Sequence, residues 1–451
     1  MMKNVGALIF LITVLSGCSQ SVTHQKQTLT FSSAHISEVI NRMTDIMVHD
    51  VTNPPLAARF FSYATLAGYE VISQNDSAYK SMSGVLNNYP TLYRPDSIIG
   101  YSIELSALLA MMETAKKMQP SGAYVDSFQV IFLDSCRRQG LAEDVIANST
   151  KYAKAISKAI LAYAKADKYN RISNYARYTP QSVPGSWYPT PPGFFAPVEP
   201  YFNTVRPFTL DTCIQFKPAP PVAFSTNKNS PFFRMLNFNY TESIHLSKEQ
   251  KEIAAFWDCN PFALQDNGHL MSGQKKMSPG AHWLMITGIA CKESKADFAK
   301  SMKVHTMVSV ALMDGFICCW DEKFRSNRIR PETAIRQYID PTYKPLLQTP
   351  PFPEYLSGHS TISAASAVIL SHYFGNDFHY EDTSEKAYGL PGRKFKSFQE
   401  AAIEAGISRF YGGIHFMDAV DNGRKQGLAV GEWVLNRVEN KLAATVALNK
   451  K

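Results

Sequence analysis

Cysteine is scarce in this chain, seven in 451 residues, and no two cysteines stand at CxxC spacing. The missing spacing argues against a thiolate zinc site. It leaves any disulfide pairing among Cys136, Cys213, Cys259, Cys291, Cys318 and Cys319 open, and the adjacent Cys318-Cys319 pair reads as core packing on a helix. Charge is thin as well. Only 19% of residues are charged, and the formal balance of +8 is not gathered into a basic tract, which argues against nucleic acid as a partner. There is no second long apolar run after the first, so no membrane span is expected beyond the N-terminal segment. Nor does any internal repeat stand out.

What is present begins with an export signal. Lys3 supplies a positive start, and residues 5–14 form an apolar stretch too short to span a bilayer. Leu15-Ser16-Gly17-Cys18 has the form of a bacterial lipobox, so residues 1–18 read as a lipoprotein signal segment with Cys18 lipidated. Ser19 in place of Asp favours the outer membrane, facing the periplasm or the cell surface, and the polar residues 19–30 read as a tether. The expectation is an exported bacterial lipoprotein attached to the membrane by its N-terminal lipid.

The remainder is 45% apolar and 12% aromatic, enough for a large buried core. Apolar residues recur at three- and four-residue spacing over 36–48 and 57–72, broken by Asn53-Pro54-Pro55, and again over 102–118 and 142–166. The pattern predicts an all-α protein. An N-terminal helical half covers 31–179, a proline-rich strap 180–221, a C-terminal helical half 222–440 and a tail 441–451. Proline density in the strap, around Trp187-Tyr188-Pro189-Thr190-Pro191-Pro192, excludes regular helix there. Such a segment either lies over a site's mouth or is a long surface connection.

The chemistry gathers in the C-terminal half. Lys323 and Arg330 are seven apart, close to two helical turns, so both are expected on one helix face, with Pro331 ending that segment. A compact ammonium and a planar guanidinium suit a dianion. Ser357-Gly358-His359 leads into a strongly helical stretch, which places it at a helix N-terminus, where free N–H groups and the dipole attract anions. Gly358 lets the backbone approach a ligand, and His359 stands where it can exchange a proton. Arg409 and His415 flank Gly412-Gly413, whose turn brings the two side chains to a common point. Asp418 and Asp421 are the candidates to hold the other nitrogen of His415. Gly423, Gly427 and Gly431 recur every four residues, the mark of close helix packing. Together these residues form a cage for a tetrahedral oxoanion such as phosphate or vanadate.

The three pieces resemble the pattern Lys-x6-Arg-Pro, Pro-Ser-Gly-His and Ser-Arg-x5-His of the type 2 phosphatidic acid phosphatase and vanadium-dependent haloperoxidase superfamily. Lys323, Arg330 and Pro331 match the first, Ser357, Gly358 and His359 the second, and Ser408, Arg409 and His415 the third; Leu356 replaces the usual proline. The resemblance implies a helical-bundle fold. It assigns oxoanion binding to Lys323, Arg330, Ser357, Gly358 and Arg409, acid–base work to His359, and the role of nucleophile or vanadate ligand to His415. Pro54-Pro55-Leu56-Ala57-Ala58-Arg59, Pro279-Gly280-Ala281-His282-Trp283 and Pro350-Pro351-Phe352-Pro353-Glu354-Tyr355 look like the long bacterial haloperoxidase-like branch, with Phe352 at the position characteristic of chloroperoxidase-type members.

Two reactions follow from that resemblance. As a haloperoxidase the protein takes vanadate as cofactor and oxidises halide with hydrogen peroxide. As an acid phosphatase it needs no cofactor and cleaves a phosphate ester through a phosphohistidine at His415. A third possibility is a non-catalytic lipoprotein that scavenges or senses oxoanions. The branch features favour the haloperoxidase.

Overall fold

The computed structural model describes residues 29–266 and 271–448. The signal segment, with Cys18, lies outside the described residues. Five helices form the N-terminal part: α1 (Ser33–His49), α2 (Pro54–Ser73), α3 (Ile103–Met118), α4 (Ala123–Arg138) and α5 (Glu143–Lys165). Eight follow: α6 (Pro231–Ile244), α7 (Lys248–Phe256), α8 (Pro279–Glu293), α9 (Phe298–Ser326), α10 (Pro331–Tyr338), α11 (Gly358–Phe374), α12 (Phe398–Tyr411) and α13 (Met417–Leu448). The all-α expectation holds. Two short antiparallel hairpins are the only strand pairs among the described residues: β1 (Leu264–Asp266) with β2 (Met271–Gly273), and β3 (Tyr380–Asp382) with β4 (Arg393–Phe395).

Proline and capping chemistry decide where the helices begin. Pro54, Pro231, Pro279 and Pro331 each occupy a first helical turn, where a missing N–H costs nothing. Asn53, Ser230 and Ser278 cap the first three by accepting a backbone N–H. Pro331 therefore starts a helix, where the sequence pattern had it ending one. α9 stops four residues earlier at Asn327, whose φ of 48° and ψ of 35° turn the chain out of the helix. Lys323 and Arg330 thus sit on two separate elements joined by a sharp turn.

α9 lies at the centre, packed against α2, α8, α11 and α13. By length and composition it is apolar enough to cross a membrane, but it is almost wholly buried and serves as the core helix. One hydrophobic cluster runs through it and joins both parts of the chain, from Ile36 and Phe61 to Leu370 and Val434. The glycines of α13 let it lie directly on α11. A Cβ at Gly427 would stand 2.0 Å from the Thr361 carbonyl oxygen, and one at Gly431 2.8 Å from that of Ala365.

The strap contains no α-helix, only a short 3-10 turn at Phe202–Thr204. It braces the α9–α10 turn. Trp187 N–H donates to the Asn327 carbonyl at 2.9 Å, Ile329 N–H donates to that of Gly185 at 2.8 Å, and the Trp187 ring is wholly buried. Further on, the buried Asp314 of α9 accepts from the N–H groups of Phe208 and Thr209 at 2.7 and 2.8 Å. The strap therefore fixes the turn that carries Arg328 and Arg330.

Candidate functional site

Four elements bring the predicted residues to one place: the end of α9, the turn into α10, the N-terminus of α11 and the α12–α13 turn. Ser357 is the N-cap of α11, accepting from Ser360 N–H at 3.3 Å, and Gly358 and His359 are its first two residues. Their N–H groups have no carbonyl one turn earlier to serve. A Cβ at Gly358 would point at the Trp320 ring at 3.5 Å and the Lys323 side chain at 4.0 Å, so a side chain there would fill the space between them. Arg409 stands in the last turn of α12, and Gly413, at φ +73°, turns the chain so that His415 faces back.

His415 is the best-defined member. Its Nδ1 lies 2.8 Å from Glu354 Oε1, so that nitrogen carries the proton and donates it. Arg330 Nη1 lies 3.2 Å from Nε2, which therefore offers a lone pair. Burial, reinforced by Arg330, Lys323 and Arg409, holds the imidazole well below its ordinary pKa and keeps it neutral. This corrects the sequence expectation. Asp421 is exposed, and Asp418 grips Arg328 with both oxygens, at 2.6 and 2.7 Å. Arg328 Nε in turn donates to Glu354 Oε2 at 2.6 Å. Asp418 thus acts two residues away from the imidazole, through Arg328 and Glu354.

The cations are buried, and the two arginines are incompletely matched. Arg330 spends Nε on the Phe352 carbonyl at 2.9 Å and Nη1 on that of Ile414 at 2.9 Å, leaving Nη2 without a partner. Arg409 gives Nη1 to the Trp257 carbonyl at 2.8 Å; Nε and Nη2 have no hydrogen-bond acceptor, with Asp258 Oδ1 3.8 Å from Nη2. Lys323 is held by the carbonyls of Pro353, Glu354 and Leu356. Burial lowers Lys323 to about 7 and Arg330 to about 9, and lowers Arg409 as well. His359 is pushed well below its ordinary value by burial and by the facing Arg409, and its Nε2 is also unpartnered. Burying so many cationic donors without acceptors is costly unless an anion completes them. A tetrahedral oxoanion fits that donor set.

The cavity is small, about 30 Å³, and Gly358, His359, Arg409 and His415 line it together with Phe352 and Trp320. The sequence pointed to Gly358, His359, Arg409 and His415 as cage members and to Phe352 as a residue near them, and missed Trp320, along with Asn260 and Phe262 of the loop after α7. It also missed Glu354, whose signal was available. A carboxylate in the apolar run before Ser357 is a charge that folding would bury, and such charges need partners. The strap does not line the cavity; its Phe195 reaches only the outer ring of Phe262, 6.2 Å between centroids. A larger groove of about 640 Å³ opens between α1 and α8, but none of its lining side chains has an unpartnered buried polar atom, so it lacks what the cage has.

The neutral His415 gives the protein a pH signature. Below about 6.5 the unfolded chain protonates this imidazole and the folded one does not, so folding stability falls as pH falls. In oxoanion-free protein, the stability lost between pH 7.5 and 5.5 is expected to be smaller by about 1.4 kcal/mol in His415→Gln than in the wild type. Denaturant titration at the two pH values measures it, and equal losses in both proteins would refute the assignment.

The protein is a helical bundle with a buried set of cationic donors whose chemistry suits a tetrahedral oxoanion. The family model of the VCPO second helical-bundle domain matches residues 337–444. The crystal structure of the first bacterial vanadium-dependent iodoperoxidase superposes with a TM-score of 0.86 at 40% sequence identity, covering 91% of this chain and 98% of that one. Holo- and apo-type bacterial vanadium-dependent chloroperoxidases share the fold at 14% identity, with TM-scores of 0.66 and 0.64 over 86% of this chain and 93% and 96% of theirs. No curated protein sequence matches the chain. The chain belongs to the vanadium-dependent haloperoxidase family.

Proposed function

We propose that the protein binds vanadate in the cage of Lys323, Arg330, Ser357, Gly358 and Arg409, with His415 Nε2 as its ligand, and oxidises halide with hydrogen peroxide. The observation that carries this reading is the set of unpartnered buried donors on Arg330 and Arg409, with the unpartnered His359 Nε2 nearby, beside a neutral imidazole nitrogen. Vanadate bound there would supply the activation of hydrogen peroxide that turns halide into a hypohalous-acid equivalent. The cations balance the oxoanion's charge, and Glu354 holds the tautomer that keeps Nε2 unprotonated. Halide and peroxide consume one proton in giving hypohalous acid and water; His359, neutral and facing the cavity, is placed to pass that proton on. Phe352 and Trp320, 4.9 Å apart between ring centroids, form an apolar wall that keeps water from the reacting end.

Iodide is the halide to try first, because it is the most easily oxidised and because the 40% identical relative is an iodoperoxidase. Purified protein loaded with orthovanadate is expected to form triiodide from iodide and hydrogen peroxide, at a rate that follows vanadate occupancy. Absence of turnover with iodide and bromide, in protein that binds vanadate, would reject the haloperoxidase reading. Hydrolysis of p-nitrophenyl phosphate, inhibited by vanadate, would then assign the same cage to a phosphohistidine at His415. Binding without either activity would leave an oxoanion-binding protein.

A further inference from the structure

A second cluster of buried, chemically competent side chains lies beside the cage and shares one lining residue, Cys259, with its cavity. Cys259 follows α7, His282 is in the first turn of α8, and Glu385 belongs to a 3-10 turn (Ser384–Tyr388) after β3. All are buried, at 2%, 0% and 7% exposure. Cys259 Sγ is 3.4 Å from His282 Nδ1, His282 Nδ1 is 3.6 Å from Glu385 Oε1, and Cys259 Sγ is 3.9 Å from that same oxygen. With zinc–sulfur bonds near 2.3 Å and zinc–nitrogen or zinc–oxygen bonds near 2.0–2.1 Å, the edges of a tetrahedral site come to about 3.3–3.6 Å. The sulfur–nitrogen separation is slightly under its edge of about 3.6 Å, and the two separations to the Glu385 oxygen exceed theirs by about 0.3 Å.

The surroundings are those a metal ligand needs. His282 Nε2 lies 2.8 Å from Asp382 Oδ2, and that contact orients the ring so that Nδ1 faces Cys259 and Glu385. Asp382 is itself fixed, its Oδ1 accepting from Ser384 N–H at 3.0 Å and from the Ser384 hydroxyl at 2.6 Å. The Trp257 ring stacks on the imidazole, 4.5 Å between centroids and 22° from parallel. Nothing in the oxoanion chemistry requires this arrangement.

We infer that Cys259, His282 and Glu385 form a divalent-metal site suited to zinc, with Asp382 orienting the histidine. One thiolate, one imidazole and one carboxylate make a mixed donor set that zinc accepts, and three protein ligands leave a fourth position for water. Binding displaces the Cys259 thiol proton, and any proton held by His282 Nδ1 or Glu385, to solvent. The ion would also serve the neighbouring site, because it pins the loop whose Trp257 carbonyl holds Arg409 and whose Cys259 lines the oxoanion cavity.

Cobalt(II) tests this without reference to turnover. Protein freed of metal by a chelator and titrated with cobalt is expected to take up one equivalent, with a thiolate-to-cobalt charge-transfer band in the near ultraviolet and the intense visible bands of tetrahedral cobalt. Cys259→Ser should lose the charge-transfer band, and Asp382→Asn should weaken binding by about 10–100-fold. Wild-type protein that binds no cobalt, or a band that survives in folded Cys259→Ser, overturns the proposal. Should Cys259→Ser fail to fold, the wild-type titration and Asp382→Asn decide it alone: an affinity that Asp382→Asn leaves unchanged also overturns it.

Discussion

Replacing His415 with alanine is expected to abolish vanadate-dependent halide oxidation, lowering turnover by at least about 10³-fold. The size of the effect comes from what the imidazole alone provides. Its Nε2 faces the cavity as a lone pair because Nδ1 is committed to Glu354 at 2.8 Å and because burial among cations keeps the ring neutral. Removing it leaves the cations, so oxoanion affinity should persist in weakened form. The fold should survive, since Glu354 Oε1 keeps the Phe416 N–H at 2.9 Å and Glu354 Oε2 keeps Arg328. Steady-state iodide oxidation and vanadate binding, measured on the same preparation, separate the two effects. Retained turnover at full vanadate loading would remove His415 from the chemistry.

Glu354→Gln should also be damaging, though less so, for a reason that its small change in shape hides. Every group around this carboxylate is a donor: His415 Nδ1–H, Phe416 N–H and the Arg328 guanidinium. A glutamine offers one acceptor and one donor, so either orientation sets its NH₂ against another donor in a dry interior. Breaking a buried charge pair of this kind costs about 3–5 kcal/mol of stability, and loss of a ligand-orienting carboxylate costs about 10–100-fold in oxoanion affinity or activity. Asp418→Asn is the informative comparison. It weakens the grip on Arg328 and so stability, but it leaves the His415–Glu354 bond in place, so vanadate affinity should stay near the wild-type value. Equal losses of affinity in the two variants would mean that the Arg328 network, and not the imidazole's tautomer, controls the site.

Much of the site was legible because its chemistry is local. Ser357-Gly358-His359 read as a helix N-terminus since a capping serine and the helical pattern after it lie within a few residues, and the structure caps α11 at Ser357. Gly412-Gly413 read as a turn for the same reason, and Gly413 takes the left-handed conformation that favours glycine. The glycine spacing on α13 likewise anticipated its contact with α11. The errors arose where spacing was taken for geometry. The seven-residue spacing of Lys323 and Arg330 matched two helical turns, but Asn327 leaves the helix, and the two cations converge from different elements. Nearness in sequence also favoured Asp418 over Glu354, which lies 61 residues before His415.

The sequence by itself determined the helical class, the break at Asn53-Pro54-Pro55 and the helix start at Ser357, because helix periodicity and caps depend on neighbouring residues. Only the tertiary structure decided which carboxylate orients His415, which donors remain unpartnered, and that Cys259, His282 and Glu385 meet. The absent CxxC spacing argued against a thiolate zinc site, yet these three come from segments 23 and 126 residues apart. Partner choice in a buried polar network is settled by three-dimensional packing, which assigns each donor to the acceptor within reach and leaves the remainder for a ligand.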